Sequence, residues 1–332
     1  MLAFNFTGKQ LNVKEDITEL LDGLSDDITD VVLQGNSLSV QVCKLIGEKL
    51  SLNVKSIDIH DCFTGRLKQD VPISIDHLLL NCQHLVSIDI RDNALSVLGA
   101  LHLSQFIKES QLQEIKLTNT GIGIEGIKHI SVGLNKYCVH HHDNPPLRLF
   151  ECGRNRLESG SQFLFIELAK CINLETLKLH QNGIRPQFIK FMSVALKGKS
   201  TTGLKNLVHL DLQDNSFMFE GSEAFANELL PALQKLEYLN VGECLTKEKG
   251  GILIIKSLLN VVSLKTVDLT YNELNSKALQ EIYNNKSFWE SRKVLLNGNV
   301  FDPELEVACK IQDELDTDEW DDLEEPDSDE ED

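Results

Sequence analysis

Several clusters in this 332-residue sequence carry residue types that do chemistry. Lys197-Gly-Lys-Ser-Thr201 ends like a phosphate-binding loop, but Ser193 stands where that motif has its first glycine, and the segment leads from a helical pattern into a strand pattern. A phosphate cradle needs the reverse order, so that backbone N–H groups and the positive end of a helix meet the phosphate. His140-His141-His142-Asp143 offers metal-ligand types, yet adjacent side chains on one loop do not converge on a tetrahedral ion. A solvated loop ahead of Pro145-Pro146 is the expectation, with no metal and no cofactor. Gly-x-Ser-x-Gly and HExxH are both absent, and no Cys/His pair has an orienting partner, so no hydrolytic machinery is visible.

What is left is the chemistry of contact. The stretch His60-Asp-Cys-Phe-Thr-Gly-Arg-Leu-Lys-Gln-Asp70 places Arg66 and Lys68 in a loop, and Phe63 is positioned to anchor it. Arg154 and Arg156 flank Asn155 and bring two planar, permanently charged guanidinium groups close together, as a recognition pair or as an ordinary solvated one. Asp92 and Asp214 offer carboxylates, and Asn119 offers an amide that can donate and accept at once.

The elements that position these residues come from an internal repeat. The frame LxxLxLxxNxL recurs with its first position at Ile28, Val54, Leu85, Leu112, Leu147, Leu174, Leu207, Leu236, Leu264 and Ser291, and a degenerate copy runs from Met1 to Leu11. This is the leucine-rich-repeat signature. It predicts an α/β solenoid of about eleven repeats, a ribonuclease-inhibitor-like horseshoe with parallel strands inside and helices outside. The fourth and sixth positions point inward from each short strand, while the fifth (Asp89, Lys116, Glu151, Lys178, Asp211, Asp268) is expected to face solvent. The ninth-position asparagines turn the chain out of the strand and satisfy backbone groups. Between strands the apolar residues switch to helical spacing, as in Ile127, Ile130 and Leu134. Asp92, Asn119, Arg154 and Asp214 all fall at the eighth position, on the edge that closes each repeat. Thr120 follows Asn119 in the ladder position, which leaves the Asn119 amide for a partner; the alternative is a shifted turn in which Asn119 itself enters the ladder.

Composition sets further bounds. The net charge of −19 is concentrated at the end of the chain, because residues 311–332 hold 14 acids and no Lys or Arg, leaving 37 acids against 32 bases elsewhere. The expected organisation is a repeat domain over 1–310 and an acidic, disordered tail over 311–332. Such a tail argues against nucleic-acid binding. No apolar run is long enough for a membrane span, and the first residues lack a secretory signal, so a cytoplasmic address, no membrane association and a monomer are expected. The eight cysteines have no CxxC spacing and are expected to be reduced and buried.

Phe63-Thr-Gly-Arg-Leu-Lys68, Cys152-Gly-Arg-Asn-Arg-Leu-Glu158, Gln181-Asn-Gly-Ile-Arg-Pro186 and Leu210-Asp-Leu-Gln-Asp-Asn215 together resemble the landmarks of the Ran GTPase-activating proteins. The resemblance covers essentially the whole chain and is closer to the single-celled, freely cytosolic form. It implies a non-enzymatic activator that binds the GTP form of Ran and stimulates Ran's own hydrolysis, with a Ran-binding protein as a possible accessory factor, in support of directional nucleocytoplasmic transport. It implies catalytic-site positions for Asn119 and Arg66, and partner contacts for Lys68, Arg154, Arg156 and Asp214; Asp92 joins the expected partner contacts by its eighth-position place on the same edge. As an arginine finger, Arg66 is asked for roughly 10³ to 10⁵ in rate. In the division the resemblance favours, Asn119 orders the GTPase's catalytic glutamine and Arg66 is an interface or scaffold residue. Two other readings stand beside it: an occluding binder of the ribonuclease-inhibitor type that uses the same surface, and an assembly scaffold that recruits basic proteins through its tail.

Overall fold

The computed structural model describes residues 3–12, 17–199, 202–302 and 304–318. Its strands are β1 (Ala3–Asn5), β2 (Gln10–Leu11), β3 (Asp30–Val32), β4 (Ser37–Leu38), β5 (Ser56–Asp58), β6 (Ser87–Asp89), β7 (Glu114–Lys116), β8 (Leu149–Glu151), β9 (Thr176–Lys178), β10 (His209–Asp211), β11 (Tyr238–Asn240), β12 (Thr266–Asp268), β13 (Lys293–Leu295) and β14 (Asp316–Thr317). The helices that bear on the site are α1 (Thr18–Gly23), α2 (Val40–Lys49), α3 (Asp70–Leu79), α4 (Ser96–Ile107), α5 (Gly123–His140) and α6 (Ser161–Leu168).

The chain divides into two compact units, Met1–Ile184 with Ala195–Leu207, and Arg185–Val194 with Val208–Asp332. In the first, the strands lie in the order β1-β3-β5-β6-β7-β8-β9, every pair parallel, with β2 and β4 forming a separate two-stranded sheet. In the second, β10 to β14 follow one another in parallel. Each strand contributes the same three residues of its repeat, so the leucine-rich-repeat frame sets the register directly: Ile57 pairs with Ile88, Ile88 with Ile115, and Ile115 with Phe150.

The inward fourth and sixth positions are buried along both units, from Ile57 and Ile59 to Val294 and Leu296. Each such side chain contributes about 1.5–3 kcal/mol by leaving water. The ninth-position side chains knit neighbouring turns. Asn93, 2% exposed, donates to the carbonyls of Ile59 and Ile90 and accepts from the N–H groups of Cys62 and Phe63. Where the frame has cysteine instead, Cys62 and Cys244 direct their thiols to the carbonyls of Leu33 and Leu212. Helical spacing delivers Ile127, Ile130, Leu134 and Tyr137 to one buried face of α5.

Three expectations change. Asp89 and Glu151 do not face solvent; they are 5% and 6% exposed. Strand register sets them in a row of alternating charge, Asp89 beside Lys116, Lys116 beside Glu151 and Glu151 beside Lys178, so neighbouring cations cover them. The segment from Cys138 does not begin as a loop, because α5 continues to His140, and the ring of His141 meets the carbonyl of Ser110 at 2.9 Å. The acidic segment carries regular structure past 311: a helix runs Glu306–Glu314 with Ile311 buried, and β14 follows at Asp316–Thr317. Ile311 and Leu315 supply the apolar contacts that a purely acidic run lacks. Residues 319–332 of the expected tail lie outside the described residues. Among the described residues no helix is long and apolar enough to cross a membrane.

Candidate functional site

The eighth position of every repeat is held in the left-handed region, with φ +50° at Asp61, +57° at Asp92, +56° at Asn119, +54° at Arg154, +51° at Gln181 and +52° at Asp214. Such a conformation is unfavourable for a residue with a Cβ, and it persists here because the backbone is tied sideways. The N–H of Asp61 bonds Arg91 O, that of Asp92 bonds Thr118 O, that of Asn119 bonds Gly153 O and that of Arg154 bonds His180 O, all at 2.9–3.0 Å. With the main chain spent on the neighbouring repeat, the side chains of Asp61, Asp92, Asn119, Arg154 and Gln181 stand exposed in sequence along one edge.

Asn119 lies outside the ladder. Thr120, fully buried, occupies that place, with its hydroxyl bonded to Leu117 O and its N–H given to Oδ1 of Asn155. The Asn119 amide donates its Nδ2–H to Oδ1 of Asp92 at 2.8 Å, so two of the expected site residues meet directly. Arg154 and Arg156, both exposed and both at positive φ, flank the buried Asn155. Asp214, half-buried, holds the same turn position in the second unit, and its N–H bonds Gly242 O.

Arg66 is committed to its own chain. Its guanidinium donates to the carbonyls of Leu11 in β2 and Ser37 in β4, and to the side-chain oxygen of Asn12 at 2.8 Å. The FTGRLK loop is fastened at its other end by Phe63, 3% exposed. Gly65, at φ +78°, turns the chain so that Lys68 is exposed while Arg66 folds back. The guanidinium is thus folded onto Leu11, Asn12 and Ser37 rather than extended from the loop.

Sequence reasoning missed the second tier beneath this edge. Thr118 donates to Oε1 of Glu151 at 2.8 Å and accepts the N–H of Gly153 at 3.1 Å, which pins the residue preceding Asn119. Arg91 grips Asp89 through Nε at 2.9 Å and Nη2 at 2.6 Å and reaches Glu151 at 3.7 Å, and the hydrogen bond to Asp89 holds its pKa above the ordinary arginine value. The alternation of acidic and basic residues at the fifth position was the available signal. Asp58, His60 and Asp89 approach one another closely enough to ligate a cation. Both oxygens of Asp89 are taken by Arg91, with Lys116 at 3.8 Å, and His60 Nδ1 sits 2.7 Å from Asp58, so an ion there competes with cations already in place.

No family model matches the sequence. Among curated proteins, Ran GTPase-activating protein 1 of Saccharomyces cerevisiae is 30% identical over 341 residues, which span 95% of this chain and 82% of the yeast protein. The chain belongs to the Ran GTPase-activating protein family. Two further members of the family match over about half of this chain: Ran GTPase-activating protein 2 of Caenorhabditis elegans, 34% identical over 201 residues and 21% of its own length, and Ran GTPase-activating protein 1 of Xenopus laevis, 32% identical over 197 residues and 34% of its length. In this family member the leucine-rich-repeat frame places Asp92, Asn119, Arg154 and Asp214 at one rank of successive turns, while Arg66 and Lys68 lie in the loop that follows the frame begun at Val54.

Proposed function

We propose that this protein is a GTPase activator for Ran, not itself a hydrolase: it binds the GTP form and speeds the hydrolysis that Ran carries out. Similarity to the yeast protein along nearly the whole chain supports the partner. The observation that carries the mechanism is Asn119, an exposed amide on a backbone tied to the next repeat, one residue ahead of the buried Thr120. A fixed amide can hold the side-chain amide of the GTPase's catalytic glutamine against the attacking water. Fixing one reacting group in advance removes orientational freedom from the barrier, and about tenfold in rate follows from each 1.4 kcal/mol so removed.

Arg66 then supports the loop that presents Lys68, while Lys68, Arg154, Arg156 and Asp214 contact the GTPase and Asp92 stands beside Asn119 on the same edge. The protein acts as a monomer in the cytoplasm, where lowering Ran-GTP gives transport its direction, with or without a Ran-binding protein.

The test is single-turnover hydrolysis of Ran-bound GTP with catalytic amounts of the full chain. Stimulation that collapses in Asn119→Ala, with binding of Ran loaded with a non-hydrolysable GTP analogue retained, is the expected result. Binding without stimulation by the wild type reassigns the protein to the occluding binders.

A further inference from the structure

The hydrogen bond between Asn119 and Asp92 has a direction. A carboxylate only accepts, so the amide face turned toward Asp92 must be Nδ2, as found at 2.8 Å. The opposite orientation sets the Asn119 carbonyl oxygen against an anionic oxygen. Oδ1 is therefore the atom left to face outward. We infer that Asp92 is the positioning residue that fixes the polarity of the Asn119 amide, so that the atom offered to the partner is an acceptor; this rests on the activator reading above.

The consequence reaches the reacting water. An acceptor at Asn119 Oδ1 takes an N–H from the glutamine's side-chain amide, which leaves the glutamine's carbonyl oxygen to accept an O–H from the water. The reverse polarity draws the glutamine's oxygen to Asn119 and points its NH2 at the water, where a donor cannot orient a nucleophile that must itself donate. The hydrogen bond to Asp92 thus selects one of the two orientations of the Asn119 amide.

The geometry gives this arrangement its stiffness. Asp92 and Asn119 hold equivalent ranks on adjacent repeats, at φ +57° and +56°, and neighbouring parallel strands lie about 4.8 Å apart, within reach of two short side chains. Their N–H groups are fixed on Thr118 O and Gly153 O. Thr118, between the two turns, is held on Glu151. Neither backbone is free to carry its side chain away from the other.

The experiment is single-turnover hydrolysis of Ran-bound GTP at a range of activator concentrations, for wild type, Asp92→Ala, Asp92→Asn, Asn119→Ala and the double variant Asp92→Ala/Asn119→Ala. Asp92 is exposed, so its variants are expected to keep the wild-type urea midpoint. Asp92→Ala is expected to lower the maximal rate about tenfold or more and to move the half-saturating concentration by less than about threefold. Asp92→Asn, whose carbonyl still accepts, is expected to recover part of the rate. The double variant is expected to be no slower than Asn119→Ala alone, because a positioning residue has nothing left to position. Effects that multiply in the double variant, or a loss confined to half-saturation, make Asp92 an independent contact and overturn the inference while leaving the activator reading intact. Absence of stimulation by the wild type overturns both.

Discussion

The hydroxyl of Thr120 lies 2.9 Å from Oδ1 of Asn155, and the same oxygen takes the Thr120 N–H at 3.0 Å. Asn155 also donates to the carbonyls of Leu117 and Gly153, so one side chain, 1% exposed, closes the turn that presents Asn119 and the turn that presents Arg154. Asn155→Ala leaves several buried backbone groups without partners and is expected to cost about 3 kcal/mol. Arg154→Ala and Arg156→Ala, on either side, are expected to stay within about 0.5 kcal/mol of wild type. Urea unfolding of the three variants checks the contrast, and equal losses at all three positions contradict the ladder role.

Arg66→Ala separates scaffold from finger. The guanidinium bridges the FTGRLK loop to β2 and β4. Its removal is expected to raise the activator concentration needed for half-maximal hydrolysis and to speed amide exchange near Leu11 and Ser37, while the maximal rate falls less than about tenfold. A finger in the nucleotide site predicts a loss of about 10³ or more in that maximal rate. Arg66→Lys, which cannot span three acceptors with a planar fork, is expected to behave like Arg66→Ala.

Much of this architecture is legible in the sequence because the repeat converts rank into position. The frame places Ile88 and Ile90 inside, Asn93 in the ladder and Asp92 on the edge without any knowledge of the third dimension. It does not reveal which way a long side chain folds. The partners of Arg66 include main-chain carbonyls 55 and 29 residues away, and a carbonyl has no residue type to search for. Nor does one strand show that Asp89 is buried, since the cations that cover it arrive from Arg91 and the adjacent β7. The Asp92–Asn119 bond joins equal ranks on adjacent repeats, and reading it needs the register as well as the frame.

Glycine inside helices marks where repeats touch most closely. A Cβ on Gly47 in α2 collides with the carbonyl oxygen of His77 in α3, and that oxygen is main chain. Alanine gains about 1 kcal/mol of helix propensity over glycine, but displacing a helix backbone costs more. Gly47→Ala is therefore expected to destabilise by about 2 kcal/mol net, read from the urea midpoint. Gly99→Ala in α4 meets the Leu95 side chain first, and is expected to cost less because that side chain can turn. The reverse order of the two midpoints contradicts the packing seen between α2 and α3.

The cysteines give a reading of the fold that needs no mutation. Seven of the eight are buried and Cys309 is exposed. Burial disfavours the thiolate, which pushes Cys43, Cys82 and Cys152 up from 9.0 to about 12, and pushes Cys62 and Cys244 up as well. A thiol-specific disulfide reagent at pH 8 is expected to modify one thiol rapidly in the native protein and eight in denaturant. The same shifts set a pH dependence of stability. A thiol whose folded pKa lies above its unfolded value contributes stability in full below pH 9.0, and the contribution is lost as the pH rises toward about 12. The urea midpoint is therefore expected to fall through that window. Substituting Cys309 with serine is expected to abolish the fast reaction and leave the fall unchanged. A second rapidly reacting thiol places one of the ladder or core cysteines at the surface and contradicts the stacking of the repeats around it.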